Sequence, residues 1–249
     1  MNNEYINKQL NHKSIRKFKN QAVPKEIIDT LLQVASRTST SSFMQSASII
    51  NIYDKSIKKA ISIIGKQGYI EESGHLFIFI ADHYRNTQII KEKKSINNVV
   101  PSMDKLIVSF SDAILMAQNV LNAAEQLGYG GVLLGSILND TEKLIEILNL
   151  PEYTFPVLGL AIGIPDQEPQ LKPRLPLQLI SFDDKYQIKE NYTSILNEYD
   201  EIVTTYYDLR DSNNRVDTFT NQVARVYSSN LNKRADIQNV LIKQKLLNK

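Results

Sequence analysis

Apolar positions recur along the chain with two different periods. Residues 3–10 read as a short helix that leads into a basic loop. Pro24 suits a first helical turn, and Ile27, Leu31, Leu32, Val34 and Ala35 then form a helical stripe. Ser56–Ile64 is amphipathic and is expected to end at Gly65, and Tyr84–Lys94 is a polar helix. Thr141–Leu148 is a further helix with Asp140 as its N-cap. From about Lys105 to Leu127 the pattern is helical and nearly apolar all round. Ala113, Ala117 and Ala124 fall close to one face there, which admits another backbone and places this helix at the centre of the fold. Ser48–Tyr53, Leu76–Ala81, Val132–Leu134 and Val157–Ile164 have the run of buried strands. Gly128-Tyr129-Gly130-Gly131 breaks the long helix before the third of them.

Two stretches resist regular structure. Thr38-Ser39-Thr40-Ser41-Ser42 competes for its own backbone groups and is expected as a loop. Pro165–Pro176 holds four of the eight prolines and must cross a surface in extended form. Beyond about Glu190 the chain reads as two or three charged helices. Strands separated by helices, with extra helices at both ends, predict an α+β fold whose sheet is covered on both faces. One domain of 1–249 is expected, with 190–249 as a helical extension.

Composition removes several classes of function. The 249 residues can bury a large core without staples. Lys+Arg number 29 against 27 Asp+Glu, and so small an excess argues against a dedicated nucleic-acid or membrane-surface binder. The absence of Cys removes disulfides, thiolate metal sites and cysteine nucleophiles together. Met1–Tyr5 has neither a basic region nor an apolar core of a signal peptide, so a cytoplasmic protein is expected.

Four clusters carry the candidate chemistry. His12-Lys13-Ser14-Ile15-Arg16 places three potential cations and a hydroxyl within five residues. Ser39, Thr40 and Ser41 supply short hydroxyls, and Lys172-Pro173-Arg174 is stiffened by prolines. A phosphate ester needs several donors at fixed angles, and these types supply both charge and neutral donors. Each cluster taken alone also reads as a solvated patch. Gly128–Ser136 is the fourth cluster, holding four of the nine glycines beside a strand, which marks a tight turn or a close approach of the backbone. The three His show no metal spacing, and His75, at a strand start, reads as structural. With no paired carboxylates and no nucleophile elbow, an enzyme of this composition needs a cofactor to carry its reaction.

The ordered set of segments resembles one family. His12-Lys13-Ser14-Ile15-Arg16-Lys17-Phe18, Ser39-Thr40-Ser41-Ser42-Phe43-Met44-Gln45, Ser48-Ile49-Ile50, Gly130-Gly131-Val132-Leu133-Leu134-Gly135-Ser136, Lys172-Pro173-Arg174-Leu175-Pro176 and Ser212-Asn213-Asn214-Arg215 resemble the oxygen-insensitive NADPH nitroreductase and flavin reductase group of the nitroreductase family, from about His12 to at least Phe219. The resemblance implies a mostly antiparallel sheet flanked by helices. It also implies an intertwined homodimer with the C-terminal helices over the partner, and tightly but non-covalently held FMN at the interface. NADPH as donor, a ping-pong cycle, and flavins, nitroaromatics or quinones as small-molecule acceptors follow from it as well, with no nucleic acid or membrane partner.

Carried over residue by residue, His12, Lys13, Ser14, Lys172 and Arg174 are expected at the phosphate and ribityl end. Arg16 is expected near N1 and O2 of the ring, stabilising reduced flavin, with Ser39, Thr40 and Ser41 at the phosphate or ring edge. Gln67 and Tyr69 match a bordering loop. Leu134, Gly135 and Ser136 match the turn that brings a backbone N–H to the ring, and Arg210 and Arg215 match arginines that meet the 2′-phosphate of NADPH. Leu133-Leu134-Gly135-Ser136 departs from the family's frequent Tyr-Ile-Gly-Gly, and Ser136 adds a Cβ beside the ring. That departure keeps open a second reading, a flavin storage or delivery protein with little turnover. A third reading, flavin fragmentation or dehalogenation on the same fold, is disfavoured by Arg210 and Arg215.

Overall fold

A computed structural model of the chain describes residues 3–93, 101–208, 217–229, 234 and 236–248. Its centre is a sheet of four strands, β1 (Ala47–Ile52), β2 (His75–Asp82), β3 (Gly130–Leu134) and β4 (Thr154–Gly163), in the order β1-β2-β4-β3 with every pairing antiparallel. Val, Ile, Leu and Phe dominate these strands, as burial on both faces demands. Phe77, Phe79, Phe155, Leu160 and Ile162 point to one side, and Leu76, Ile78, Ile80, Val132 and Ala161 to the other. β4 begins at Thr154 and runs through Pro156, earlier than the proline alone suggests. The register shifts between Phe79 and Ile80, so Pro156 sits beside a bulge, where its missing N–H costs no ladder bond.

Helices cover both faces, as the pattern predicts. In chain order they are α1 (Glu4–Leu10), α2 (Lys25–Ser36), α3 (Lys55–Gly65), α4 (Tyr69–Glu72), α5 (Tyr84–Glu92), α6 (Met103–Gln126), α7 (Thr141–Ile147), α8 (Tyr192–Ile195), α9 (Asn197–Asp208), α10 (Phe219–Ser228) and α11 (Ile237–Lys243). α2, α6 and α11 pack with Phe77, Phe79 and Phe155; Ile61 and Ile64 of α3 and Leu144 of α7 pack on the opposite side. Ala113, Ala117 and Ala124 are fully buried, and their small side chains let α6 lie close to the sheet. α6 is long and apolar enough to cross a bilayer by length and composition, yet eight of its residues are buried inside the protein. Ile107, Ile114 and Leu115, on its other side, are exposed.

Helix ends follow local chemistry. Asp140 accepts the Lys143 N–H as the expected cap, and Asp54 caps α3 in the same way. α3 closes on Lys66 in the left-handed region (φ 53°) rather than on Gly65, which stays helical under the Ile70 side chain. Four helices, not two or three, follow residue 190 among the described residues. The extra one, α8, is a single turn fixed by the Asn191 cap and too short to leave a periodic signal.

The chain divides into two compact units, 1–168 with 232–249 and 169–231. The second has its own apolar cluster of Leu196, Tyr199 and Val203 with Leu175, Leu179, Tyr206 and Phe219 around it. Asp200 on α9 accepts both the N–H and the hydroxyl of Thr220 on α10, which ties those two helices together.

His75 opens β2 and is nearly fully buried, tilted against Tyr53 and edge-on to Phe77. Burial, helped by the Lys58 ammonium, pushes its pKa down to about 4. The unfolded chain therefore takes up this proton first, at about pH 6.5, while the folded chain resists to about pH 4. This contribution is whole above pH 6.5 and is lost as pH falls to about 4. Chemical denaturation at stepped pH is expected to show a decline over that window that His75→Gln removes; equal slopes in both proteins would contradict it.

Candidate functional site

The basic loop is fixed by the strand beside it. Ile15 N–H donates to the Gly131 carbonyl (3.0 Å), and Phe18 bridges to Pro165. Ile15 lies so close to Gly130 that a Cβ there would come within 2.4 Å of Ile15 Cγ1, so the glycine is what lets the loop press onto β3. Ile15 and Phe18 are buried in the same apolar cluster, Arg16 and Lys17 are exposed, and His12, Lys13 and Ser14 are half-buried.

Its charges have partners in the same unit. His12 Nδ1 stands 2.6 Å from Glu125 Oε1, near the C-terminal end of α6. Lys8 reaches the same end and donates to the carbonyls of Glu125 and Gln126, where a cation opposes the helix dipole. Lys13 pairs with Glu168, and Lys17 with Asp166 at 3.4 Å. Arg16 N–H donates to Gln167 Oε1 at 3.3 Å.

Three of the expected segments meet. The charge of Arg16 acts on the hydroxyl of Tyr69, at the start of α4. Burial raises the Tyr69 hydroxyl pKa, and the Arg16 charge opposes that rise without cancelling it. Two residues earlier, Gln67 accepts a hydrogen bond from Ser136 at 2.6 Å. Ser136 follows Gly135, at which an added Cβ would find no atom within 4 Å. Space over the Gly135 backbone at a strand end, Arg16 acting on Tyr69, and a basic loop carrying His12, Lys13 and Ser14 together supply donors of the right chemistry for an anionic flavin. These residues fit FMN. The Ser136 Cβ adds bulk at this turn as the sequence implies, but its hydroxyl is engaged by Gln67.

The hydroxyl loop is anchored elsewhere on α6. Asp112, fully buried, accepts the Ser41 N–H on one oxygen and the Ser46 N–H on the other, each at 3.1 Å. Arg85 and Asn86 donate to the Gln45 and Met44 carbonyls. These bonds hold a segment in which Ser42, Phe43 and Gln45 all have positive φ, a conformation that non-glycine residues adopt only when the surroundings impose it. Ser39 and Ser41 are exposed and Thr40 is half-buried. Asp112 and Glu125, the α6 anchors of the hydroxyl and basic loops, lie about 20 Å apart along the helix at 1.5 Å per residue.

Lys172 and Arg174 lie in the second unit, both exposed, with Arg174 donating to the Lys172 and Pro173 carbonyls. Lys172 also borders a groove of about 240 Å³ lined by Tyr199, Tyr206, Phe219 and Tyr227. Arg210 and Arg215 fall outside the described residues.

Sequence reasoning missed three residues. Asp112 had a readable signal, since a carboxylate on the apolar face of a core helix must be partnered. Glu125 had none beyond its place near a helix end. Arg234 lies far along the chain, yet donates to the Gly135 carbonyl (2.9 Å) and to Asn139 Oδ1.

An antiparallel sheet between helices defines an α+β protein. The nitroreductase family matches residues 10–164, and the C-terminal domain of the nitroreductase family matches residues 172–249. A Staphylococcus saprophyticus protein named NADPH-dependent oxidoreductase is 40% identical over 233 residues, covering 92% of this chain and 93% of its own. The structure of NfrA1 nitroreductase from B. subtilis matches with TM-score 0.91 and 34% identity over 97% of this chain and 98% of that one. An NADPH:FMN oxidoreductase from Vibrio harveyi, solved with NAD+, matches with TM-score 0.88 and 28% identity over 99% and 100%. The chain belongs to the nitroreductase family and is an oxidoreductase.

Asp112 offers a test of the loop anchor. Asp112→Ala leaves two backbone N–H groups without their charged acceptor, each bond being worth about 1.5–3 kcal/mol. Urea unfolding of the variant is expected to show a loss of at least about 2 kcal/mol, with faster proteolysis at Ser41–Gln45; an unchanged midpoint would remove Asp112 from this role.

Proposed function

We propose that the chain is an NADPH-dependent oxidoreductase that holds FMN non-covalently in the cradle between the basic loop, Gln67–Tyr69 and Leu134–Ser136. In this reading NADPH delivers its electrons and leaves, and a flavin, nitroaromatic or quinone is then reduced in the same place. The observation that carries the reading is the meeting of Arg16, Tyr69, Gln67 and Ser136 around the open Gly135 turn. Relatives named for NADPH and for FMN support it.

The chain's own residues have distinct parts in this proposal. His12, Lys13 and Ser14 bind the phosphate end, and Lys13 exchanges Glu168 for it. Lys172 and Arg174 contribute to the same end. FMN, when bound, supplies hydride acceptance at N5 and return of electrons to the second substrate. Arg16, whose charge acts on Tyr69, would face N1 and O2 of the bound ring and stabilise the negative charge of its reduced state. Aimed at developing charge in a partly dry site, such a cation contributes about 2–4 kcal/mol. Ser39, Thr40 and Ser41 complete the phosphate or ring edge. Arg210 and Arg215 pair with the 2′-phosphate of NADPH.

A homodimer belongs to this proposal, with the segment from about 190 reaching over the partner. Two observations support it. The exposed side of α6 carries Ile107, Ile114 and Leu115, an apolar face of the kind that a second copy covers. The α6 anchors of the basic and hydroxyl loops are also far apart within one chain, so a site using both is more readily assembled from two.

The reading is tested by the visible spectrum of the purified protein. An oxidised-flavin spectrum that bleaches anaerobically with NADPH but hardly with NADH is expected, whereas a colourless protein that takes up no added FMN would overturn it. Arg16→Ala is expected to lower the flavin potential and slow reoxidation by a quinone, and an unchanged potential removes Arg16 from its part. Replacing Arg210 and Arg215 by Gln is expected to raise KM for NADPH roughly 30-fold, the equivalent of about 2 kcal/mol, and to leave NADH use unchanged.

The assembly is tested separately. Ile114→Asp with Leu115→Asp is expected to give a monomer by light scattering, with FMN released. A dimer of unchanged stability would show that the α6 face is not the interface.

A further inference from the structure

Gln67 and Ser136 come from elements on either side of the cradle, and their contact is unusually constrained. The Ser62 hydroxyl donates to the Gln67 carbonyl at 3.0 Å, and the Gln67 N–H donates to the Ser62 carbonyl at 3.2 Å. The backbone of Gln67 is thus satisfied by the last turn of α3. Its side-chain oxygen accepts from Ser136 Oγ at 2.6 Å. A primary amide has two lone pairs on its oxygen and two N–H donors on its nitrogen. With one lone pair of Oε1 engaged and the amide held at that end, both Nε2 donors are left for a ligand. The pocket for the serine is tight, because an added Cβ at Gly65 would stand 3.2 Å from Ser136 Oγ and 2.8 Å from Ile70 Cδ1. The turn that carries Ser136 is itself held from the other side, by Arg234 on the Gly135 carbonyl and by the Asn139 amide on the Ile64 carbonyl (3.3 Å).

We infer that Ser136 is a positioning residue: by pinning Oε1 of Gln67, its hydroxyl turns the Nε2 donors of Gln67 toward a hydrogen-bond acceptor on the bound flavin. This rests on the FMN reading, and it gives Ser136 a task at a position where its side chain looks like an obstruction. Ser136 does not touch the reacting atoms in this account. It fixes which end of Gln67 a ligand meets, so the edge of the site favours an acceptor.

The test is a double-mutant cycle on FMN affinity, read by flavin fluorescence with the full-length protein stripped of flavin. Ser136→Ala is expected to weaken FMN binding about five- to tenfold in the wild-type background, the loss of one oriented hydrogen bond, and less than twofold in the Gln67→Ala background. Equal weakening in both backgrounds would mean that Ser136 acts on the flavin directly, and no weakening in either would mean that the contact does not matter; both overturn the inference. Nuclear relaxation of the Gln67 side-chain amide supplies a readout without flavin. Its order parameter is expected to fall in Ser136→Ala, and an unchanged value refutes the pinning. A wild-type protein that binds no FMN defeats the flavin reading, and the relaxation measurement still decides whether Ser136 holds Gln67.

Discussion

A carboxylate cannot stay charged inside a protein without donors, and Asp112 finds two in the backbone of a loop whose conformation is unfavourable by itself. The charge needs the N–H groups of Ser41 and Ser46, and the loop needs the charge to stay in its left-handed turns. This mutual requirement joins the site to the core, because Asp112 stands on the same α6 face as Ala113 and Ala117. Near the other end of α6, Glu125 reaches the basic loop through His12. One helix therefore anchors the hydroxyl loop and the basic loop at two places while packing against the sheet between them.

Much of this was legible in the sequence. The strands and the central helix announced themselves because burial on both sides leaves long apolar runs, and Ala113, Ala117 and Ala124 marked the face that meets the sheet. The expected start of β4 at Val157 falls three residues late, since the bulge that accommodates Pro156 is a tertiary event and nothing local encodes it. α8 was invisible because one turn is shorter than the period used to find helices. The candidate residues of the first unit were legible as clusters, and the structure joins Arg16 to Tyr69 and Gln67 to Ser136.

What the sequence could not carry were pairings between distant segments. Glu125, Glu168 and Arg234 look like ordinary surface charges until the fold brings them to His12, Lys13 and the Gly135 carbonyl. Such pairings depend on register and approach rather than on residue type. The same holds for Gly130 and Gly135, neighbours in sequence with opposite uses: the first is filled by Ile15, and the second faces open space.

The bond from Ile15 to the Gly131 carbonyl reaches beyond ligand binding. β3 is an outermost strand, with β4 as its one neighbour in the sheet, and an unprotected outermost strand is a template for pairing with other chains. Here the loop that bears the cations also meets that border and occupies one of its carbonyls. Detachment of the loop would free that carbonyl for foreign backbone, so the seating of the basic loop also bears on resistance to aggregation.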